Sequence, residues 1–313
     1  MRTFYSKFSL KEICRLFGRT PQAWYHLKDH QDEAVMKEAF ILEKVRLIRN
    51  DQPKIGAIKL RVKLQDQLEK EHLSIGRDCF FRLLRENGLL VKPKRQYLST
   101  TNSNHRFKIW PDLVNRRPAI MPEEIWVSDI TYIRCKDGFA YLSLVTDAYS
   151  RKIVGYNLSP NLKADSCIKA FIMANNARIY PKRPLIHHSD RGIQYCCDAY
   201  VKLLLHHQIN ISMTQSGSPY DNAIAERVNG ILKTEYGLRQ TQWSFTQAQQ
   251  AIQKAIYLYN YQRPHFSCEL KTPQYRHAQN NNKRKQNNNQ YQKNNSHHQT
   301  ISGIKSIVNK QNQ

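Results

Sequence analysis

Residues 8–28 carry the capping and stop signals of two short helices. Ser9 and Glu12 form a capping box, and Gly18 stops the first helix. Thr20 caps a second helix, with Pro21 in its first turn. Two helices joined through a glycine predict a helix-turn-helix-like segment over residues 1–34, with a plain helical hairpin as the alternative.

Apolar residues also recur at helical spacing over residues 35–91. Pro53 and Gly56 break the pattern, and Asn87-Gly88 closes its last helix. Three basic side chains lie along that last helix: Arg77, Arg82 and Arg85. We predict a second helical DNA-binding region here, with an ordinary bundle helix bearing solvated arginines as the alternative.

Two segments lack regular periodicity. Residues 92–120 contain three prolines and many basic residues with a single acid, Asp112, which predicts a basic linker. Residues 276–313 are rich in Asn, Gln and Lys, and no acid follows Glu269. This composition predicts a disordered tail that contacts DNA without sequence preference or has no function.

The pattern changes to strands near residue 124. A run rich in aromatic and β-branched residues over 125–133 is followed by two strands around a polar turn at 147–151. Helix-like stretches then alternate with short strands. Successive strands followed by alternation with helices predict an α/β domain with a mixed sheet over residues 121–275.

Charge narrows the class of partner. The chain has 49 Lys+Arg against 25 Asp+Glu, a formal net charge of +24. Such an excess favours nucleic acid as the partner. An anionic membrane is the weaker candidate, because no amphipathic basic helix with a strong apolar face stands out, and no run reaches the roughly 18–20 apolar residues of a membrane span. The N-terminal sequence lacks a signal peptide, which leaves the cytoplasm as the expected location.

Seven scattered cysteines without a C-x-x-C pair are typical of reduced thiols. A cluster of histidine and cysteine pairs raises the question of a zinc site, but the usual ligand spacings are missing. The cluster consists of His187-His188, Cys196-Cys197 and His206-His207.

Three acids stand at chemically informative points of the α/β region. Asp129 lies in a strand that is apolar on both faces, where a carboxylate is costly unless it is paired or binds a metal. Asp190 ends a strand, a common ligand position, although Asp before x-Gly is also ordinary turn chemistry. Glu226 lies in a helix on a stripe away from the apolar one, a position that a surface Glu–Lys face would also explain.

The spacing of these acids is more specific than any one of them. Asp190 follows Asp129 by 61 positions, and Glu226 follows Asp190 by 36, leaving 35 residues between. Four segments surround them: WVSDITYI at 126–133, YLSLVTDAYSRKIVG at 141–155, HSDRGIQY at 188–195 and SPYDNAIAER at 218–227. With YNYQRPHFSCELKTPQY at 259–275, this order resembles transposases of the insertion-sequence-three family, specifically the second-frame product.

The resemblance implies an RNase H-like integrase core with a DD(35)E triad, preceded by small all-α regions. It implies a DNA transposase that frees a 3′-OH with water and uses that hydroxyl to attack a phosphodiester, through a circular intermediate. Asp129, Asp190 and Glu226 would be the catalytic metal ligands, because oxygen ligands select Mg²⁺ or Mn²⁺ and two ions suit this reaction. Lys233 and Asn222 would contact DNA, with Gln194 shaping the site.

Other acids have structural explanations. Asp147 lies in a turn, Asp221 is placed to cap the Glu226 helix, and Glu235 lies on its apolar stripe. The segment Gln52–Lys59 is only a loose version of the family's H-P-x-x-G-x-R pattern, and the Asn-rich tail is not a family feature.

The expected partners are the element's terminal inverted repeats, target DNA, further copies of the chain and a first-frame product, in the bacterial cytoplasm with the nucleoid. A non-catalytic repressor of the element and an RNase H-type nuclease are the alternatives.

Overall fold

The computed structural model describes residues 8–91, 106–215, 222–239 and 243–279. The chain divides into two compact units, Met1–Lys92 and Pro93–Gln313. None of the helices in these described stretches is long and apolar enough to span a membrane. Asp221 and residues 280–313, the greater part of the predicted tail, lie outside the described residues.

The first unit is all-helical, as the periodicity predicts. Its helices are α1 (Leu10–Leu16), α2 (Pro21–Asp51), α3 (Ala57–Lys70) and α4 (Arg77–Glu86). The capping box of Ser9 and Glu12 is formed, and Thr20 caps α2 with Pro21 in its first turn. The α2 helix is not short, however: its 31 residues continue unbroken across the boundary predicted at residue 34.

The core of the helical unit lies where α2, α3 and α4 meet. Its fully buried members include Ile41, Leu60, Leu64 and Phe80. The turn between α2 and α3 is polar inside, because the buried amide of Gln52 accepts a hydrogen bond of 2.6 Å from Lys63 Nζ. The loose family pattern over 52–59 therefore forms a packed turn that leads into the first residues of α3.

The second unit is built on a five-stranded mixed sheet, which confirms the predicted fold class. Its strands are β1 (Ile125–Cys135), β2 (Gly138–Asp147), β3 (Ile153–Ser159), β4 (Ile186–Ser189) and β5 (Asn210–Met213). The order is β3-β2-β1-β4-β5. The first three strands are antiparallel, and β4 and β5 run parallel to β1. The predicted central strand is thus at the middle of the sheet.

Helices cover both faces of this sheet. They are α5 (Ala164–Asn176), α6 (Ile193–Cys196), α7 (Asp198–His206), α8 (Ala223–Glu235) and α9 (Phe245–Tyr261). One core cluster joins the sheet to α8 and α9, and another joins it to α5, α6 and α7. The α9 helix, with a Ser244–Gln247 capping box, is an element that the sequence patterns above do not predict.

The structure corrects the predicted linker in its described part, residues 106–120. This segment packs on the second unit: Trp110 and Val114 contact core clusters, and Met213 N donates to the carbonyl of Pro111. Asp112 accepts hydrogen bonds from the amides of Val114 and Asn115. Proline has no backbone N–H to donate, so it interrupts helices and strands, but it does not prevent packing. The hydrophobic periodicity of the sequence therefore gave no sign of this contact.

The C-terminal segment folds back onto the sheet beyond the predicted domain limit at 275. His277 is buried, with Nδ1 2.9 Å from Ser150 Oγ and 3.6 Å from Asp147 Oδ1. Its Nε2 lies 3.7 Å from Glu123 Oε1. Residues 276–279 therefore belong to the folded unit, not to the tail.

Gly155 shows how closely α5 approaches the sheet. A Cβ at this position of β3 would collide with the carbonyl oxygen of Ala170 and lie 2.8 Å from Ala174 Cβ. We expect Gly155→Ala to lower the free energy of unfolding by about 1–3 kcal/mol or more, since backbone must move. Gly230→Ala is the matched control: no atom lies within 4 Å of the added methyl.

In the interior of α8, that methyl should stabilise by up to about 1 kcal/mol. Urea unfolding of both variants measures the contrast. Equal effects of the two substitutions would contradict the close approach of α5 to β3.

His277 predicts a pH dependence of stability. Burial acts to lower the pKa of His277, but Asp147 and Glu123 raise it above its ordinary value, with Lys152 opposing them. The stability from the charged ring is therefore complete below the unfolded pKa of about 6.5 and is lost as the pH rises through the folded pKa.

We expect His277→Gln to cost about 1–3 kcal/mol near pH 6, and less as the pH is raised to about 9. Denaturant unfolding at both pH values measures the gap from the unchanged protein. The exposed His206→Gln is the control. A gap that widened with pH would refute the charged state of His277.

Candidate active site

Strand register brings Asp129 and Asp190 together. In the parallel pair of β1 and β4, Ser128 is opposite Ser189. Asp129 follows Ser128 in β1 and Asp190 follows Ser189 at the end of β4, so the two acids stand side by side. Neighbouring strands lie about 4.8 Å apart. The ordinary geometry of a parallel pair therefore juxtaposes two carboxylates.

Asp129 is partly buried in the central strand and held by two hydrogen bonds. Its Oδ1 accepts from the amide of Ile130 at 2.9 Å, and its Oδ2 accepts from Asn229 Nδ2 at 2.7 Å. Burial and the charge of Asp190 raise the pKa of Asp129 to about 7, although these two hydrogen bonds oppose the shift. The carboxylate is fixed in direction but costly to ionise.

Asp190 takes part in the turn that follows β4. Its Oδ1 accepts from the amide of Gly192 at 3.0 Å, the turn bond that its D-R-G sequence allows. Burial nevertheless raises the pKa of Asp190. Gln194, expected to shape the site, lies beside this turn: a Cβ on Gly192 would be 3.3 Å from Gln194 Oε1. The side-chain Nε2 of Gln194 donates a hydrogen bond to the carbonyl of Leu162.

Helix α8 brings Glu226 to the same place. Asn222 Nδ2 donates to the carbonyl of Ser128 at 3.0 Å, and Asn229 donates to Asp129 two turns further on. Glu226 lies between these two tethers and is exposed. The sequence predicts that Glu226 lies on a stripe of α8 that faces away from the core, and the side chain of Glu226 does face away from it. Asn222, predicted to contact DNA, is 6% exposed and its Nδ2 is used in the contact with β1.

Electrostatic coupling shows that the three acids form one group. Burial and the Asp190 charge raise the pKa of Glu226, and both Asp190 and Glu226 act on Asp129 in the same direction. The side chains are not a closed ligand shell: within the described stretches, no group of three or more His, Cys, Asp or Glu is arranged to hold a metal ion. The site is a set of mutually repelling carboxylates within electrostatic range.

One cation, Lys233, adjoins this group, and a second, Arg239, lies near Lys233. Lys233 is half-buried one turn after Asn229; burial and nearby Arg239 lower its pKa, while Asp129 acts to raise it. Arg239 was missing from the sequence interpretation because it follows the end of α8, outside the helical stripe. A lysine beside the acids, with an arginine near it, is suited to contact a phosphate backbone.

The remaining acids have structural roles. Asp147, the rival to Asp129, accepts three hydrogen bonds from Glu123 N and from Ser150 N and Oγ, as expected of a turn residue. Glu235 binds Arg263 through two parallel hydrogen bonds of 2.7 and 2.8 Å. The sequence placed Glu235 on the apolar stripe without naming this buried partner.

The zinc alternative finds no support in the histidine and cysteine pairs. His187 Nε2 lies 2.8 Å from Ser128 Oγ and 2.9 Å from Tyr200 OH, and burial lowers the pKa of His187 to about 3. His188 Nδ1 lies 2.9 Å from Ser212 Oγ instead. The two histidines of the first pair thus bond to different partners, and His206 of the third pair is exposed.

In the helical unit, the three arginines predicted to contact DNA are exposed on α4. Arg77 pairs with Asp78 at 2.9 Å, and Arg82 lies 4.0 Å from Glu86. Arg85, in the last turn, completes the basic side. Residues 71–76 connect α3 to α4, and the three arginines lie on the exposed side of α4.

Asn229 is the main site residue that the sequence interpretation missed. It lies three positions after Glu226 and seven after Asn222, so helical spacing alone could have placed it on the same stripe. The contact with Asp129 could not be inferred without the packing of α8 on β1.

The chain matches two profiles described as integrase core domain, over residues 120–219 and 207–273. It is 35% identical over 227 residues to the insertion element IS600 uncharacterized 31 kDa protein of Shigella sonnei, covering 71% of this chain and 81% of that protein. It is 30% identical over 244 residues to the transposase InsF for insertion sequence IS3A of Escherichia coli (strain K12), covering 74% and 80%.

Among solved structures, the HTLV-2 integrase catalytic core domain in complex with magnesium aligns with a TM-score of 0.41 and 22% identity, over 50% of this chain and 98% of that one. The integrase profiles and the strand order agree with the predicted RNase H-like core. The chain belongs to the insertion-sequence-three family of transposases, with an integrase core domain.

Proposed function

We propose that this transposase cuts and joins DNA strands at the ends of its element, with Asp129, Asp190 and Glu226 as the catalytic group. The observation that supports the proposal is their placement: Asp129 and Asp190 follow paired residues of neighbouring strands, and Asn222 and Asn229 tie the helix of Glu226 and Lys233 to β1. A protein that only bound DNA would gain nothing from three acids facing a polyanion.

The chemistry of the three donors suits divalent cations, although the side chains as they stand do not form a closed ligand shell. All three are hard oxygen donors, the kind that Mg²⁺ and Mn²⁺ prefer. Burial raises the pKa values of Asp129 and Glu226, and the charge of Asp190 raises them further. A bound cation would relieve this repulsion. Two bound ions would supply Lewis-acid chemistry and lower the pKa of water in a displacement at phosphorus.

The chain's own groups orient the reaction. Asn229 and the amide of Ile130 fix the carboxylate of Asp129, and the Gly192 amide fixes that of Asp190. Lys233 and Arg239 would hold the phosphates that flank the reacting bond. The nucleophile comes from outside the protein: water first breaks a P–O bond to leave a 3′-OH, and that hydroxyl then attacks a second phosphodiester, whose own 3′-oxygen leaves.

Joining two ends requires at least two protein copies on DNA, and the first-frame product of the element would be a further partner. The substrate, chromosomal DNA, places the activity with the bacterial nucleoid in the cytoplasm. The α4 helix would contact the inverted repeats.

The triad assignment is tested by Glu226→Gln, which leaves size and exposure unchanged. We expect cleavage of supercoiled DNA carrying the inverted repeats to fall at least about a hundredfold, equivalent to roughly 3 kcal/mol, because a carboxylate is lost from the group. DNA binding should be retained. Gel analysis of nicked and circular products formed with Mg²⁺ measures the cleavage rate.

Glu269→Gln is the control, since this carboxylate is 82% exposed and pairs only with Arg276 among the described contacts. Cleavage by Glu226→Gln at the unchanged rate would refute the assignment. Specific binding by the unchanged protein without strand transfer would favour a repressor, and degradation of RNA–DNA hybrids would favour an RNase H-type nuclease.

The α4 helix is tested by Arg82→Ala and Arg85→Ala. Each should weaken binding to the inverted repeats, and loss of a phosphate contact should reduce the slope of log affinity against log salt by about one. Lys169→Ala, an exposed cation on α5, is the charge-matched control. Fluorescence anisotropy over a salt series measures both quantities; an equal loss in the control would contradict a specific role of α4.

A further inference from the structure

Two asparagines on α8 have an unsatisfied atom next to the catalytic group. Asn222 and Asn229 are 6% and 5% exposed, and each uses its Nδ2 to reach β1. The Oδ1 atom of each is buried and has no hydrogen-bond partner among the residues that the structure describes. Buried acceptors are normally paired, so an unpaired one beside an active site indicates a donor that arrives with a ligand.

Asn229 differs from Asn222 in what it touches. Asn222 donates to a backbone carbonyl, whereas Asn229 donates to Oδ2 of the Asp129 carboxylate at 2.7 Å. The opposite oxygen, Oδ1, accepts from the amide of Ile130 at 2.9 Å. With one donor on each oxygen, the plane of this carboxylate is fixed. A carboxylate oxygen can accept a second interaction, so a lone pair on each remains for a ligand.

We propose that Asn229 is a positioning residue for Asp129: its Nδ2 fixes the carboxylate, and its Oδ1 accepts a hydrogen bond from water bound to the divalent cation that Asp129 holds. The inference rests on the proposed function of Asp129 as a metal ligand. The amide nitrogen of Asn229 would thus orient Asp129, and its amide oxygen would accept a hydrogen bond from the metal-bound water.

The chemistry of the side chain at position 229 supports this assignment. A primary amide is a donor and an acceptor at once. Aspartate would add a further negative charge to a group whose members already repel one another. Leucine has a similar volume but can make neither hydrogen bond. Groups that orient a ligating carboxylate typically affect metal affinity about 10–100-fold.

The experiment compares the unchanged protein with Asn229→Leu and Asn229→Ser, all bound to inverted-repeat DNA. The melting temperature is followed over a titration with Mn²⁺ and separately with Mg²⁺, which reports metal binding without turnover. Cleavage is measured over the same metal series. We expect Asn229→Leu to raise the half-saturating metal concentration about 10–100-fold in both readouts. Asn229→Ser, whose hydroxyl is donor and acceptor, should fall between.

Asn260→Ala is the matched control. Asn260 is also a buried asparagine, but its amide bonds to the backbone N and O of Ile153, both at 2.9 Å. It should lower the melting temperature in the absence of metal and leave the half-saturating metal concentration unchanged.

The outcomes separate the two proposals. If the unchanged protein responds to metal and both Asn229 variants respond at the same concentration, the positioning role is refuted while the proposed function stands. If neither the unchanged protein nor Glu226→Gln shows a metal response or cleavage, the proposed function fails and the inference fails with it. Because Asn229→Ser retains hydrogen bonding, it gives a result even if Asn229→Leu does not fold.

Discussion

The catalytic unit is organised around a carboxylate in the middle of a sheet. Asp129 lies in the central strand, where burial and Asp190 raise its pKa to about 7, so its ionised form is costly. Two hydrogen bonds offset part of that cost, one from the neighbouring backbone and one from Asn229. Helix α8 supplies Asn229 and also carries Glu226, so the contact that stabilises Asp129 also positions Glu226.

The parallel pairing of β1 and β4 is equally important. It sets Ser128 opposite Ser189, and the acids follow these residues. A register slip of one residue would turn one carboxylate to the other face of the sheet. Beneath the pair, the buried ring of His187 contacts both Ser128 Oγ and Tyr200 OH. The site therefore depends on a register that buried contacts hold in place.

The C-terminal part of the chain braces the same helix from its other end. Arg263 binds Glu235 in the last turn of α8 with a two-pronged ion pair. Burial acts to lower the pKa of Arg263, but Glu235 outweighs it and the pKa is raised. Asn260 bonds to both backbone groups of Ile153, and His277 joins Asp147 and Glu123. The Y-N-x-x-R-P-H segment thus contacts both the end of α8, through Arg263, and strand β3, through Asn260.

Much of this protein was determined by sequence patterns that act over short distances. Local features depend on neighbours in the chain and could be predicted: the caps at Ser9 and Thr20, the break at Gly18 and the residue pattern of β1. The spacing of Asp129, Asp190 and Glu226 could also be obtained from the sequence. The unbroken length of α2, the existence of α9 and the packing of 106–120 could not, because long-range contacts outweigh local propensity there. Tertiary structure alone decided that Asn222 is buried, that Asn229 binds Asp129 and that Glu235 pairs with Arg263, since each contact joins residues 28 to 100 positions apart.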